Sequence, residues 1–198
     1  MGSNMAENHP VGFQWVMEAR ERGAQVIHVD PRFTRTSAMA TTWVKIRAGS
    51  DIAFLGGIVN FILENDLHFE EYVKNYTNAP VIIGERFADT EDLDGFFSGW
   101  DPERGEYDTT TWQYEGMEAH GAAGQRESGF KTSGEQSGHG GHGGGLEHGE
   151  PPEEDLDLQH PRCVFQLLKK HYRRYTPELV ADTCGCSVED FLEVARAL

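Results

Sequence analysis

The sequence predicts an α/β fold, Rossmann-like and doubly wound, on three observations. A glycine-containing turn, Gly2 to Asn4, runs into a helical pattern that starts at Pro10. A short β-branched run, Ala24 to Val29, ends at Asp30-Pro31. A second run, Thr41 to Ile46, is followed at Asp51 by a longer apolar pattern. Strands separated by helical segments at this spacing form an α/β unit.

Each element has a local cause. Pro10 suits the first turn of a helix, where its missing N–H costs nothing. Val11, Phe13, Trp15, Val16 and Met17 then form a wide apolar stripe through Arg22, and Gly23 supplies a stop. Ala24 to Val29 reads as a buried strand and Thr41 to Ile46 as a second. Asp51 can cap a helix running to about Glu64, whose Gly56 and Gly57 suggest close packing of helix on sheet. Phe69 to Tyr76 reads as a short helix and Val81 to Ile83 as a short strand.

Asp89 to Tyr114 reads as an acidic loop region rich in aromatics: Phe96, Phe97, Trp100, Tyr107, Trp112 and Tyr114. Each such ring hides about 150 to 250 Å². They bury either against another domain or subunit or against this chain's own core. The composition then changes abruptly, because 12 of the 23 glycines lie between positions 116 and 149, with His120, His139, His142 and His148. Such a stretch predicts a disordered insertion over 116–155. Its histidines invite a metal, but a backbone this flexible holds no preformed site. The remainder, 156–198, reads as helices packing on the same domain as 1–115. Cys163 to Tyr175 has helical apolar spacing, Thr176-Pro177-Glu178 is a start signal, and Ser187-Val188-Glu189-Asp190 opens a last helix.

Charge narrows the partners. The net charge of -16 sits in the middle of the chain, since residues 61–115 carry 14 acidic and 3 basic side chains and residues 116–160 carry 9 and 2. Nucleic acid is excluded, because neutralising phosphates needs clustered Lys and Arg. The basic cluster Lys169, Lys170, Arg173 and Arg174 reads as the solvated face of one helix. Three cysteines are an odd number, and Cys184-Gly185-Cys186 lacks the C-x-x-C spacing of zinc or cluster sites. No apolar run approaches the ~18 residues of a membrane span, and the N-terminus lacks a charged-then-apolar signal layout.

Three polar segments carry candidate binding chemistry. In the first, a turn at Gly2, Ser3 and Asn4 lets backbone N–H groups approach phosphate, and the helix near Pro10 points its positive end at the same place. Asn4 offers donor and acceptor, and Glu7 accepts from amines or hydroxyls. His9 serves either as an orienting hydrogen-bond partner or as a direct contact. In the second, Asp30 stands at the carboxyl end of a strand, where such folds place the carboxylate that reads ribose or base groups. Pro31 removes a competing donor, Arg32 can meet phosphate or pair with Asp30, and Thr34 follows. In the third, Gly49 and Asp51 form a further contact point, with Asp51 either capping its helix or accepting adjacent N–H donors of a base. The pattern lacks G-x-G-x-x-G. No catalytic constellation and no metal ligand set is legible.

The segments GSNMAENHPVGFQWVMEAR, VIHVDPRFTRTSAMA, IRAGSDIAFLGGIVNFIL and LQHPRCVFQLLKKHYRRYTPE resemble the major (alpha) subunit of respiratory, selenocysteine-containing formate dehydrogenase, within the molybdopterin oxidoreductase family. The resemblance covers the chain except about Met117 to Asp155. It implies a cofactor of two molybdopterin guanine dinucleotides around one molybdenum or tungsten, oxidation of formate to carbon dioxide, and guanine recognition by Asp51. It also implies a piece of a longer subunit, whose 4Fe-4S cysteines and metal-ligating selenocysteine or cysteine have no counterpart here, so that this segment alone is inactive. Implied partners are the rest of the major subunit, an iron-sulfur beta subunit, a membrane cytochrome subunit and formate. The implied location is a periplasmic or membrane-associated complex. Gln159 to Cys163 favours formate over sibling enzymes acting on nitrate or another oxyanion. A non-catalytic split-gene remnant is the alternative of a different class.

Removing residues 116–149 is expected to shift the thermal midpoint of the remainder by no more than about 3 °C, because closure entropy changes by only about 0.6 kcal/mol per doubling of loop length. Calorimetry checks this, and a larger loss would show that the segment packs.

Overall fold

Residues 1–117 and 151–198 are described by the computed structural model. In chain order the elements are α1 (Met5–Asn8), α2 (Pro10–Glu21), β1 (Ile27–Val29), α3 (Arg35–Met39), β2 (Thr42–Val44), α4 (Asp51–Glu64) and α5 (Glu70–Tyr76). There follow β3 (Trp100–Asp101), β4 (Glu106–Tyr107), α6 (Val164–Tyr172), α7 (Pro177–Cys184) and α8 (Val188–Ala197). They fall into two units, Met1–His68 with Leu168–Leu198, and Phe69–Leu167. The divisions lie at Phe69 and Leu168, inside the expected segments 1–115 and 156–198.

In the first unit, β1 pairs with β2 in parallel, Ile27 opposite Thr42 and Val29 opposite Val44, with α3 in the connection. This is the expected strand–helix–strand unit, but each strand has three residues rather than six. Among the described residues the parallel sheet stops at this pair, and the wider doubly wound sheet is not seen. The first strand shortens because the Val26 carbonyl accepts from both Thr41 and Thr42 N–H groups, at 2.7 and 3.2 Å, so the regular register begins one residue later.

Helix α4 follows the predicted bounds and buries Ala53, Phe54, Gly56, Gly57, Ile58 and Asn60. Gly57 faces helices and Gly56 the segment between α6 and α7, contrary to the expected helix-on-sheet contact. A Cβ on Gly57 would stand 2.5 Å from Val180 of α7 and 2.9 Å from Phe191 of α8, and one on Gly56 would stand 3.0 Å from Tyr175. Phe54 meets Phe191 edge to face at 5.5 Å, and both are fully buried. Around this contact Val29, Val44, Ile46, Ile58, Val180 and Val194 close one core.

The two last helices end and begin as their sequences dictate. Thr176 accepts from Leu179 N–H to cap α7, Ser187 accepts from Asp190 N–H to cap α8, and Gly185 closes α7 in the left-handed region at φ 71°. Arg47 adds a tertiary cap: its guanidinium donates to the carbonyls of Asp182 and Thr183 at 2.6 and 3.1 Å. A cation here complements the negative end of the helix dipole. The basic cluster is not wholly a solvated face, since Lys169 lies 3.5 Å from Asp66 and Arg173 3.8 Å from Glu64.

In the second unit the expected strand Val81 to Ile83 makes three isolated bridges, to Glu154, Cys163 and Tyr114. The expected disordered insertion, 116–155, includes Glu153 to Asp155. Instead Glu153 accepts from Ile82 N–H at 2.9 Å, and Asp155 N–H donates to the Pro80 carbonyl at 2.8 Å. Positions 118–150 of that expected insertion, including its four histidines, lie outside the described residues. Arg162 ties the bridges together by donating to the Ile83 carbonyl at 3.0 Å and to Glu115 at 2.7 Å. The Asp155 carboxylate accepts N–H groups of His160, Gln159 and Asp157. These bonds, that from His160 foremost, hold its pKa below the ordinary carboxylate value.

The acidic loop folds on itself through its aromatics. Strands β3 and β4 form an antiparallel ribbon, Phe96 stacks on Trp100 at 4.9 Å, and Tyr107 lies between Trp100 and Trp112. Trp112 Nε1 donates to the Ser98 carbonyl at 2.7 Å. Within the unit the rings pack on one another, while Phe97 and Trp112 remain at least half exposed.

Gly57→Ala is expected to destabilise the first unit by about 1 to 3 kcal/mol, the usual cost of overpacking, in a denaturant titration. An unchanged midpoint would show that α4 does not pack on α7 and α8 in solution.

Candidate functional site

Parallel pairing decides where the three candidate segments lie. β1 and β2 run the same way, so Asp30, which follows β1, and the turn that follows β2 leave the pair at one edge, its carboxyl end. The N-terminal turn joins that edge because Gly2, at φ 64°, donates its N–H to the Val29 carbonyl at 3.0 Å.

Residues after Gly2 are held by a compact network. The Asn4 carbonyl accepts from Glu7 and Asn8 N–H groups and so starts α1. The Asn4 side-chain amide donates to the Glu7 carboxylate, and its Oδ1 accepts from Thr36 Oγ1 at 3.1 Å. Thr36 Oγ1 accepts from Ala6 N–H at 3.0 Å, and Arg35 Nε stands 3.4 Å from Glu7. His9 is the residue before α2; its imidazole is exposed and gives that helix no side-chain cap.

At the end of β1, Asp30 is partly buried. Its Oδ1 accepts from Arg32 N–H at 2.8 Å, and its Oδ2 lies 3.8 Å from Nε2 of the buried His28. Pro31 and Arg32 are exposed, leaving the guanidinium free to face solvent. Thr34 is buried and caps α3 in a reciprocal box with Ser37, so its hydroxyl has a structural role within the site. An open cleft of about 500 Å³ is lined by Glu7, Arg32, Phe33, Thr34, Arg35 and Ala38. Three sequence-predicted residues thus meet in one concavity.

Gly49 and Asp51 do not line that cleft. Gly49, at φ 85°, makes the turn between β2 and α4, a conformation that suits glycine. Ser50, not Asp51, is the N-cap residue, and its hydroxyl donates to the Arg47 carbonyl at 2.7 Å instead of capping. Asp51 is the first helical residue and is exposed. Contrary to the expected capping role, Asp51 does not cap its helix, and its carboxylate stands at the positive end of these 14 residues.

Sequence reasoning missed His28, Arg35, Thr36 and Ser37. The available signal was a histidine inside a three-residue strand otherwise made of Ile27 and Val29. Burial pushes the thiols of Cys163, Cys184 and Cys186 above their ordinary pKa, which disfavours the thiolate.

No model of a protein family matches the chain. Curated relatives do. The chain is 43% identical over 197 residues to formate dehydrogenase subunit alpha of Megalodesulfovibrio gigas, and 44% identical over 197 residues to formate dehydrogenase 2 subunit alpha (cytochrome c-553) of Nitratidesulfovibrio vulgaris. It is 41% identical over 199 residues to the major subunit of the nitrate-inducible formate dehydrogenase of Escherichia coli. Each match covers 100% of this chain and 16% of the relative, so the chain spans about one sixth of the length of the proteins it matches. Among solved structures, acetylene hydratase from Pelobacter acetylenicus is similar at a TM-score of 0.46 and 17% identity, over 93% of this chain and 14% of that one. Identity of this order along its whole length places the chain in the formate dehydrogenase alpha-subunit family, as the counterpart of one segment of that subunit.

Proposed function

We propose that this chain is a cofactor-holding segment of a molybdenum or tungsten formate dehydrogenase and grips one guanine dinucleotide arm of a bis-molybdopterin guanine dinucleotide. The observation that carries the reading is the meeting of Gly2 to Glu7 with Asp30 to Arg35 at the carboxyl end of β1, with the chain leaving β2 toward the Gly49 to Asp51 turn in the same direction. In α/β sheets, ligands bind outside the carboxyl ends of the strands. The donor set fits such a group. Arg32 and Arg35 line the cleft beside Glu7 and match a diphosphate in charge, while Asp30 and Asp51 offer carboxylates to ribose hydroxyls and base N–H groups.

When bound, the cofactor supplies the metal centre that accepts electrons from formate as it becomes carbon dioxide. This segment's residues bind and orient. Asp30 is pre-set by the Arg32 N–H, so little ordering remains to be done on binding. The parallel pair is part of a doubly wound sheet completed by the rest of the subunit. The 4Fe-4S cluster lies elsewhere in that subunit, and the electrons leave through an iron-sulfur beta subunit in a periplasmic or membrane-associated complex. The full resemblance of sequence to three formate dehydrogenase subunits supports this assignment over an oxyanion reductase.

Asp30→Ala or Asp51→Ala in the whole subunit is expected to lower bound cofactor about tenfold or more, because each removes a charge-assisted hydrogen bond worth roughly 1.5 to 3 kcal/mol. Metal analysis and pterin fluorescence provide the readout. Since Asp51 is not a cap, Asp51→Ala should shift the apo-protein melting temperature by only about 1 to 3 °C, the size of a first-turn dipole contact. Full cofactor content in both variants would sink the reading.

A further inference from the structure

Strand β1 buries a histidine where its neighbours are apolar: His28 is 3% exposed between Ile27 and Val29. Buried polar groups need partners, and both ring nitrogens have one. Nε2 lies 3.0 Å from the Ser3 carbonyl oxygen, which can only accept, so Nε2 carries the proton and donates. In the neutral ring Nδ1 then accepts from Ser37 Oγ at 2.9 Å, and Ser37 Oγ in turn accepts the Thr34 N–H at 2.8 Å. Asp30 Oδ2 stands 3.8 Å from Nε2. One ring therefore joins the N-terminal turn, the end of β1 and the start of α3.

We infer that His28 is the positioning residue that fixes the Gly2 to Asn4 turn against β1 for cofactor binding, an inference that rests on the site proposed above. The turn is otherwise soft. Gly2 and Ser3 are exposed, and Gly2 uses the conformational freedom of glycine at φ 64°. Thr36 holds the later residues, Asn4 and Ala6, at 3.1 and 3.0 Å. The Gly2–Ser3 portion is held by the Gly2 N–H bond to Val29 and by the His28 ring. Among the described residues, removing the ring's Nε2–H leaves the Gly2–Ser3 portion on the Gly2 bond alone. The Ser3 and Asn4 N–H groups then spread over many directions, and a ligand must pay their ordering entropy on binding.

The two halves of the ring can be separated. A glutamine at position 28 can place an amide N–H near the Nε2 position and keep the bond to Ser3, whereas an asparagine can place its oxygen near Nδ1 and keep the bond from Ser37 but stops short of Ser3. In the whole subunit, His28→Gln is expected to retain bound cofactor within about twofold of the parent protein, and His28→Asn to lose about tenfold. The apo forms of both variants should melt together, and amide exchange over Gly2 to Glu7 should be faster in His28→Asn alone. Equal cofactor content in the two variants, a better-loaded His28→Asn, or loss of the fold in both would overturn the inference by making His28 merely structural. Asp30→Ala, run in parallel, separates the two levels. If it keeps its cofactor, the site reading fails and this inference with it. If it loses cofactor while the His28 pair behaves alike, only the positioning role fails.

Discussion

The close approach of α4 to α7 and α8 is the constraint on which the first unit depends. Two adjacent glycines, Gly56 and Gly57, remove the side chains that would hold these helices apart, and Val180, Tyr175 and Phe191 occupy the space. The contact joins residues more than a hundred positions apart, so it carries the entropy of closing the chain and must bury much apolar surface to offset it. Fully buried Phe54, Val180 and Phe191 do this. The same contact places the start of α4, and hence Asp51, beside the turn that leaves β2. Arg47 locks that turn by reaching the last carbonyls of α7.

Given that frame, the candidate site needs few residues. Parallel pairing of two three-residue strands puts Asp30 and the Gly49 turn at one edge, and one backbone bond from Gly2 brings the N-terminal turn to it. Behind these loops the polar side chains of Asn4, Thr36, Ser37 and His28 are buried or half-buried and bonded. Because each buried polar atom among them has a partner, the network holds direction as well as position. The outward-facing groups, Arg32, Arg35 and Asp51, remain exposed. Rigid support behind and charged groups in front is the arrangement that binding a polar, charged cofactor arm requires.

The second unit is built on another principle. Its strands are fragments, and the three bridges of Val81 to Ile83 each reach a different part of the chain. Stability there comes from an aromatic cluster, the Arg162 to Glu115 pair and the turn around Asp155. The acidic side chains of this unit face solvent, accept backbone N–H groups as Asp155 does, or pair with a cation as Glu115 does with Arg162, so they need no place among the stacked rings.

What the sequence alone determined is what depends on near neighbours. Pro10 at a helix start, the Thr176 and Ser187 caps, the bounds of α4 and the placing of Gly2, Asp30 and Gly49 at chain reversals all follow from propensity, capping and φ preference, which act over a few residues. The family, too, was legible, because VDPRFTRT and its companions are contiguous strings. What only the tertiary structure decided is what depends on residues far apart. The partners of Gly56 and Gly57, the bridges to Glu154 and Cys163, the pairing of Lys169 and Arg173 with the end of α4, and the two partners of His28 could not be read locally. Hydrogen bonds and packing contacts across the chain are set by which surfaces meet, and a linear pattern records only that a residue must be buried, not against what.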